Sequence, residues 1–218
     1  MNKNIKARLV RTVIFSVIAL VIGGGVAWWQ ISTQSARVIS SSSRETGERP
    51  TKIAGLKIGG AFTLTDHNGE KVTEQSYPEQ YKLIYFGFTY CPAICPTELQ
   101  KMRQAVKGLP EEMAARVQPL FITTDPERDT VAVMKDYVSL FDPRLVGLTG
   151  TVPQVNHIKK GFRIFAVKVQ DEDAQDYTMD HSSFTYLMSP DGELVAMYRV
   201  KDTADFMMKD IKKHLSGL

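Results

Sequence analysis

The chain has 218 residues, 43% of them hydrophobic and 23% charged, which excludes a disordered polypeptide and allows one domain of ordinary size with an appended segment. Its net charge of +3 comes from the N-terminus, where residues 1–49 hold seven Lys/Arg against two acids and leave 20 basic and 22 acidic side chains in residues 50–218. That balance does not support a basic patch for nucleic acid, because phosphate contacts need a clustered excess of cations.

Lys3, Lys6, Arg8 and Arg11 precede Val13 to Trp29, 17 residues without a charge. At about 1.5 Å per helical residue this stretch approaches a hydrocarbon thickness of ~30 Å, and Thr12, Gln30 and Ile31 extend it. The expected organisation is a cytoplasmic N-terminus at 1–11, a transmembrane anchor at 12–31, a flexible tether at 32–50 and a folded domain at 51–218. Cations ahead of a span place the remainder on the far side of the membrane. The rival reading is a cleaved signal peptide. The apolar run is longer than the usual core of about 7–15 residues, Trp28 and Trp29 sit where interfacial aromatics anchor a span, and "STQSA" is a poor cleavage site. Either way the domain faces an oxidising compartment, where a close cysteine pair tends toward disulfide unless metal or reductant protects it.

Within the domain, "AFTLTDHNGEKVTE" alternates around Asn68-Gly69 and predicts a hairpin. "KLIYFGF" (82–88) reads as a strand buried on both faces. Pro96 suits a first helical position, so a helix is expected from Pro96 to about Lys107, with Cys95 as N-cap and Leu99, Met102, Val106 and Leu109 packing on the sheet. The next unit is a strand at 117–123, the loop "TDPERD", and a helix from Thr130 to Leu140 with Asp129 as N-cap and Val131, Met134, Val138 and Phe141 on one face. A short strand in "LVGLTG" and a helix from Pro153 to Gly161 follow. "FAVKV", an acidic loop "QDEDAQDYTMD", a hairpin of "SFTYLM" and "LVAMYRV", and a helix from Thr203 to Leu215 complete the order. Strands alternating with helices, then a hairpin and a helix, predict an α/β thioredoxin-like domain with a mixed sheet and flanking helices.

Both cysteines of the chain, Cys91 and Cys95, fall in "TYCPAICPTE". A cysteine at a helix start meets unpaired N–H groups and the positive end of the dipole, so the Cys95 thiolate is expected to form readily. Disulfide exchange and metal binding both need that thiolate. Three intervening residues rather than the two of a thioredoxin pair give a wider loop that could straddle one soft ion, but two ligands alone hold a metal weakly. Of the four histidines, His67, His157 and His214 read as surface residues. His181, just before "SFTYLM", is the candidate third ligand. A lone histidine is more often structural, so the residues by themselves leave dithiol exchange and metal binding both open.

"YFGFTYCPAICPTEL", "TTDPERDT", "LTGT" and "DYTMDHSSFTYLMSPDGEL" together resemble the Sco/SenC family of membrane-anchored, thioredoxin-fold copper proteins of cytochrome c oxidase assembly. The resemblance implies one copper ion, Cu(I) or Cu(II), bound by Cys91, Cys95 and His181, and a redox-active Cys91-Cys95 disulfide in the metal-free oxidised form. It implies a single-pass protein of the cytoplasmic or mitochondrial inner membrane, with the domain in the periplasm or intermembrane space. Its expected partners are the copper-site subunit of cytochrome c oxidase, a copper donor and a thiol reductant. The expected function is copper chaperone, the alternative a thiol-disulfide oxidoreductase acting on the oxidase cysteines; a peroxidase is weaker, since nothing marks Cys91 as a lone peroxidatic thiol. One departure stands in the loop, where Ala93 replaces the acid common in the family. "MDHSSF" also lacks the proline that oxidoreductases of this fold carry there, which favours metal over thiol exchange.

In "TTDPERDT", Arg128 is expected to pair with a neighbouring acid, and Asp125 has the alternative role of orienting His181 or meeting the partner. Met179 and Met188 are expected to pack rather than ligate. The five acids from Asp171 to Asp180 read as a solvated tip, or as a surface that steers a basic partner.

Overall fold

The computed structural model describes residues 57–170 and 177–217. The expected cytoplasmic segment, anchor and tether lie outside them, as do four of the five acids from Asp171 to Asp180. Among the described residues no helix is long and apolar enough to cross a membrane.

The hairpin at Asn68-Gly69 forms from β1 (Thr63–Asp66) and β2 (Lys71–Thr73). Gly69 has a φ of 90°, the left-handed conformation that glycine adopts without steric cost. β3 (Tyr81–Gly87) and β4 (Val117–Thr123) are almost wholly buried and pair in parallel over all seven residues, Tyr81↔Val117 to Gly87↔Thr123. Pro119 is tolerated in β4 because pairing with β5 (Val146–Thr149) begins only at Leu120↔Val146, past the position of the missing N–H. β8 (Phe184–Met188) runs antiparallel to β3, and β9 (Leu194–Arg199) antiparallel to β8. The seven-stranded order is β2-β1-β5-β4-β3-β8-β9, so three parallel strands lie between two antiparallel hairpins. This is the mixed thioredoxin-like sheet that the strand-helix order predicts.

Period-2 alternation divides the core. Leu83, Tyr85 and Phe121 face α1 (Ile94–Lys107), α3 (Val131–Ser139) and α5 (Ala204–Leu215) through Leu99, Met102, Met134, Val138, Met207 and Ile211. Ile84, Phe86, Leu120 and Ile122 face α4 (Val152–Gly161) through Val155 and Ile158. Each fully buried side chain of this size contributes about 1.5–3 kcal/mol relative to exposure, so the cysteine loop is carried on a sheet clamped from both sides.

Several expectations need correction. α1 begins at Ile94, with Ala93 as N-cap and no side-chain cap. Cys95 is therefore inside the first turn, where Pro96 is tolerated because first-turn N–H groups lack helical partners anyway. Thr130, not Asp129, caps α3, accepting from Val133 N–H. A short helix α2 (Glu111–Ala114) has no counterpart in the sequence reading. "YTMDH" is not loop: β7 (Tyr177–His181) pairs antiparallel with β6 (Ala166–Gln170) in a separate two-stranded sheet, Ala166 facing His181.

Candidate metal centre

The site lies where β3 ends. After Gly87 the chain turns through Phe88 to Cys91 and enters α1, while His181 arrives from β7. A β-carbon added at Gly87 would come within 2.6 Å of Cys95 Sγ and 2.9 Å of the Phe121 ring. Glycine here is what lets the sulfur rest on the strand's backbone. The "YFGF" run carried that signal, since glycine inside a buried strand marks a close approach.

Cys95 is fully buried and Cys91 only partly so, and both are free thiols. The expected asymmetry is reversed. Cys95 N–H donates to Cys91 Sγ at 3.4 Å, so the helix start serves Cys91. The hydrogen bond from the Cys95 thiol, chiefly, together with one from His181 and backbone N–H groups, holds the Cys91 thiol far below its ordinary range against the opposing effect of burial. Cys95 is pushed up, first by that same sharing of its proton with Cys91 and then by burial. The sequence places Cys95 nearer the helix dipole but says nothing of where its sulfur points, which is under the helix and into the core.

His181 Nε2 stands 3.7 Å from Cys95 Sγ. Its Nδ1 lies 3.0 Å from the Ser182 carbonyl oxygen, an acceptor only, so Nδ1 donates there and Nε2 is the ring nitrogen turned toward the cysteine sulfurs. Phe88 and Tyr85 meet the imidazole edge-on, with ring centroids 5.7 and 6.3 Å away, and the Tyr85 hydroxyl donates to Cys95 Sγ at 3.8 Å.

These donors suit a soft ion. With bonds of about 2.3 Å to sulfur and about 2.0 Å to nitrogen, two ligands of one ion stand roughly 3.5–3.8 Å apart at tetrahedral to trigonal angles, which brackets the Cys95–His181 separation. Among the described residues no three His, Cys, Asp or Glu side chains already stand as a group that could hold a metal ion; the donors meet pairwise. Two thiolates and an imidazole select copper in its reduced state, or zinc, over hard cations.

The remaining candidates are elsewhere. His67 Nδ1 accepts from Gly147 N–H, His157 Nε2 donates to the Ala61 carbonyl, and His214 faces Asp210. Met179 and Met188 are buried in the two core clusters, as expected. Asp125 does not reach His181: its carboxylate accepts from Arg128 Nε at 2.5 Å and from the Tyr177 hydroxyl at 2.9 Å. Asp129, read from sequence as a cap, is instead the buried anchor of the loop. It accepts from Thr89 N–H, from the Thr89 hydroxyl at 2.6 Å and from the Thr123 hydroxyl at 2.6 Å, which ties the approach to Cys91 to the end of β4. Nothing in its spacing distinguishes that role from capping.

The SCO1/SenC family model matches residues 50–216. The "Protein SCO2 homolog, mitochondrial" of Mus musculus is 38% identical over 203 residues, covering 92% of this chain and 78% of its own length. The fold is similar to that of Bradyrhizobium japonicum ScoI with copper bound, at a TM-score of 0.66 and 42% identity over 72% of this chain and 98% of that one. Yeast Sco1 with copper bound aligns at a TM-score of 0.69 and 38% identity, over 75% of this chain and 91% of that one.

Proposed function

The chain belongs to the SCO1/SenC family, and we propose that it is a membrane-anchored copper chaperone that carries one copper ion on Cys91, Cys95 and His181 to the dinuclear copper site of cytochrome c oxidase. The Sco family is one of cytochrome c oxidase assembly proteins, and copper-bound structures exist for two of the relatives above. The observation that carries the reading is the Nε2 of His181 facing Cys95 Sγ at 3.7 Å, across 86 residues of sequence.

Copper is here the cargo. Cys95 and His181 form the inner part of the site, with Tyr85 and Phe88 packed on the imidazole. Cys91 is the outward ligand, and its lowered pKa keeps it a thiolate at neutral pH, ready to bind without first losing a proton. A low-coordinate ion leaves a position open for the recipient's ligand, so the ion can pass by stepwise ligand exchange. The anchor at 12–31 and tether at 32–50 hold the domain at the cytoplasmic or mitochondrial inner membrane, facing the periplasm or intermembrane space, within reach of the oxidase subunit. A copper donor loads it.

The second reading, thiol-disulfide oxidoreductase, is favoured by the same asymmetry: an accessible Cys91 thiolate beside a buried, protonated Cys95. Cys91 would attack a disulfide of the oxidase copper site, and Cys95 would then displace the recipient thiolate, leaving the Cys91-Cys95 disulfide for a thiol reductant to reset. Reconstitution of the recipient domain separates the two. The chaperone reading expects His181→Ala to abolish copper transfer while disulfide reduction persists; transfer by His181→Ala at the parent rate would refute the three-ligand carrier.

A further inference from the structure

β7 carries His181 but is not part of the seven-stranded sheet; its strand partner is β6. A strand outside the main ladder needs another tether if its imidazole is to stay within a bond length of a metal. The side chains around Tyr177, at the opposite end of β7, provide one. Arg128 Nη1 donates to the Tyr177 carbonyl at 2.8 Å, and the guanidinium lies 3.7 Å from the centre of the Tyr177 ring. The Tyr177 hydroxyl donates to Asp125 Oδ1 at 2.9 Å, while Arg128 Nε donates to Oδ2 of the same carboxylate at 2.5 Å. Asp125 is 1% exposed and the Arg128 side chain 15%, so the pair is shielded from water and holds one geometry.

The same guanidinium lies 4.8 Å from the ring of Tyr90, the residue before Cys91, and 5.9 Å from Phe88, whose ring packs on His181. One planar cation therefore touches both segments that carry the proposed ligands. Outside it, Lys168 covers the Tyr177 ring and pairs with Glu127 at the surface.

We propose that Arg128, locked by Asp125, is a positioning residue of the metal centre: it clamps Tyr177 and so fixes His181, four residues along the strand, against the cysteine pair. This rests on the copper-carrier reading for its purpose, though not for its geometry. The clamp is removed without removing charge by Arg128→Lys, since an ammonium cannot bond Asp125 and the Tyr177 carbonyl while stacking on the ring. Tyr177→Phe deletes only the hydroxyl bond to Asp125 and serves as the milder variant if Arg128→Lys folds poorly.

The test has two arms, both on the full chain. In crystal structures of the metal-free protein, either variant should lengthen the His181–Cys95 approach, Arg128→Lys by about 1 Å or more, with the main sheet unchanged; an unaltered approach overturns the clamp. In Cu(I) competition titrations against a chelator, Arg128→Lys should weaken binding roughly tenfold or more, within the range seen for residues that orient ligands. It should have no further effect in a His181→Ala background, because the clamp acts only through that imidazole. Additive losses would assign Arg128 a general structural role and refute the proposal. If His181→Ala alone leaves copper binding intact, the carrier reading fails, and the metal-free distance still decides the clamp.

Discussion

At Gly87 the absence of a side chain creates the site. A methyl group there would overlap Cys95 Sγ and the Phe121 ring, and neither can yield easily, both being fully buried. Gly87→Ala should leave a folded domain destabilised by about 1–3 kcal/mol while copper affinity falls well beyond that cost; chemical melts and chelator competition on one sample measure both. Cys91 carries the second residue-scale prediction. Its lowered pKa means that the thiolate is already formed below the ordinary thiol range and is lost only as pH falls through the depressed value. Alkylation of the reduced protein at Cys91 should therefore change little from pH 8 to pH 6, where an ordinary thiol with a pKa of about 8.5 slows roughly a hundredfold. Cys95, buried and pushed up, should stay unmodified. A rate that falls in proportion to hydroxide would show that the Cys95 thiol and the helix N–H groups do not stabilise Cys91.

At the scale of elements, Asp129 joins three strands' ends. Its carboxylate holds Thr89 and Thr123, and its carbonyl accepts from the Thr149 hydroxyl at 2.6 Å. Asp129→Ala leaves buried donors without acceptors and should cost roughly 2–4 kcal/mol, with hydrogen exchange rising first at Thr89 and through the cysteine loop; uniform exchange across the domain would contradict its local role. Such residues show why the sequence was legible in some places and opaque in others. The buried strand β3 announces itself as a continuous apolar run, and α1 and α3 as helical stripes, because burial imposes a period that composition must obey. β7 is polar, exposed on alternate residues and follows an acidic run, so it reads as loop. Its pairing with β6 is a tertiary choice. Cys91, Cys95 and His181 were legible as a set only through the four resembling motifs; spacing alone left two chemistries open. Asp125, Arg128 and Asp129 were visible as a charged cluster, but which acid holds which partner depends on where β4, β7 and the cysteine loop meet in space.

For the molecule as a whole, the charge distribution separates two tasks. The cations of residues 1–49 belong to the expected anchor and tether, while residues 50–218 are near neutral, so in the proposed transfer the approach to a recipient would depend on local features of the site's rim rather than on long-range steering by net charge. Tyr90, Ile94 and Phe165 are exposed and sit near the cysteine loop or beside β6 in the chain. The central claim is that His181 closes a three-donor site across the gap between β7 and the loop. X-ray absorption at the copper edge of the Cu(I)-loaded full chain tests it most directly. The account predicts one copper with two sulfurs at about 2.2–2.3 Å and one imidazole nitrogen at about 2.0 Å, the nitrogen shell vanishing in His181→Ala. A sulfur-only spectrum in the parent, or a nitrogen shell that survives His181→Ala, would contradict it.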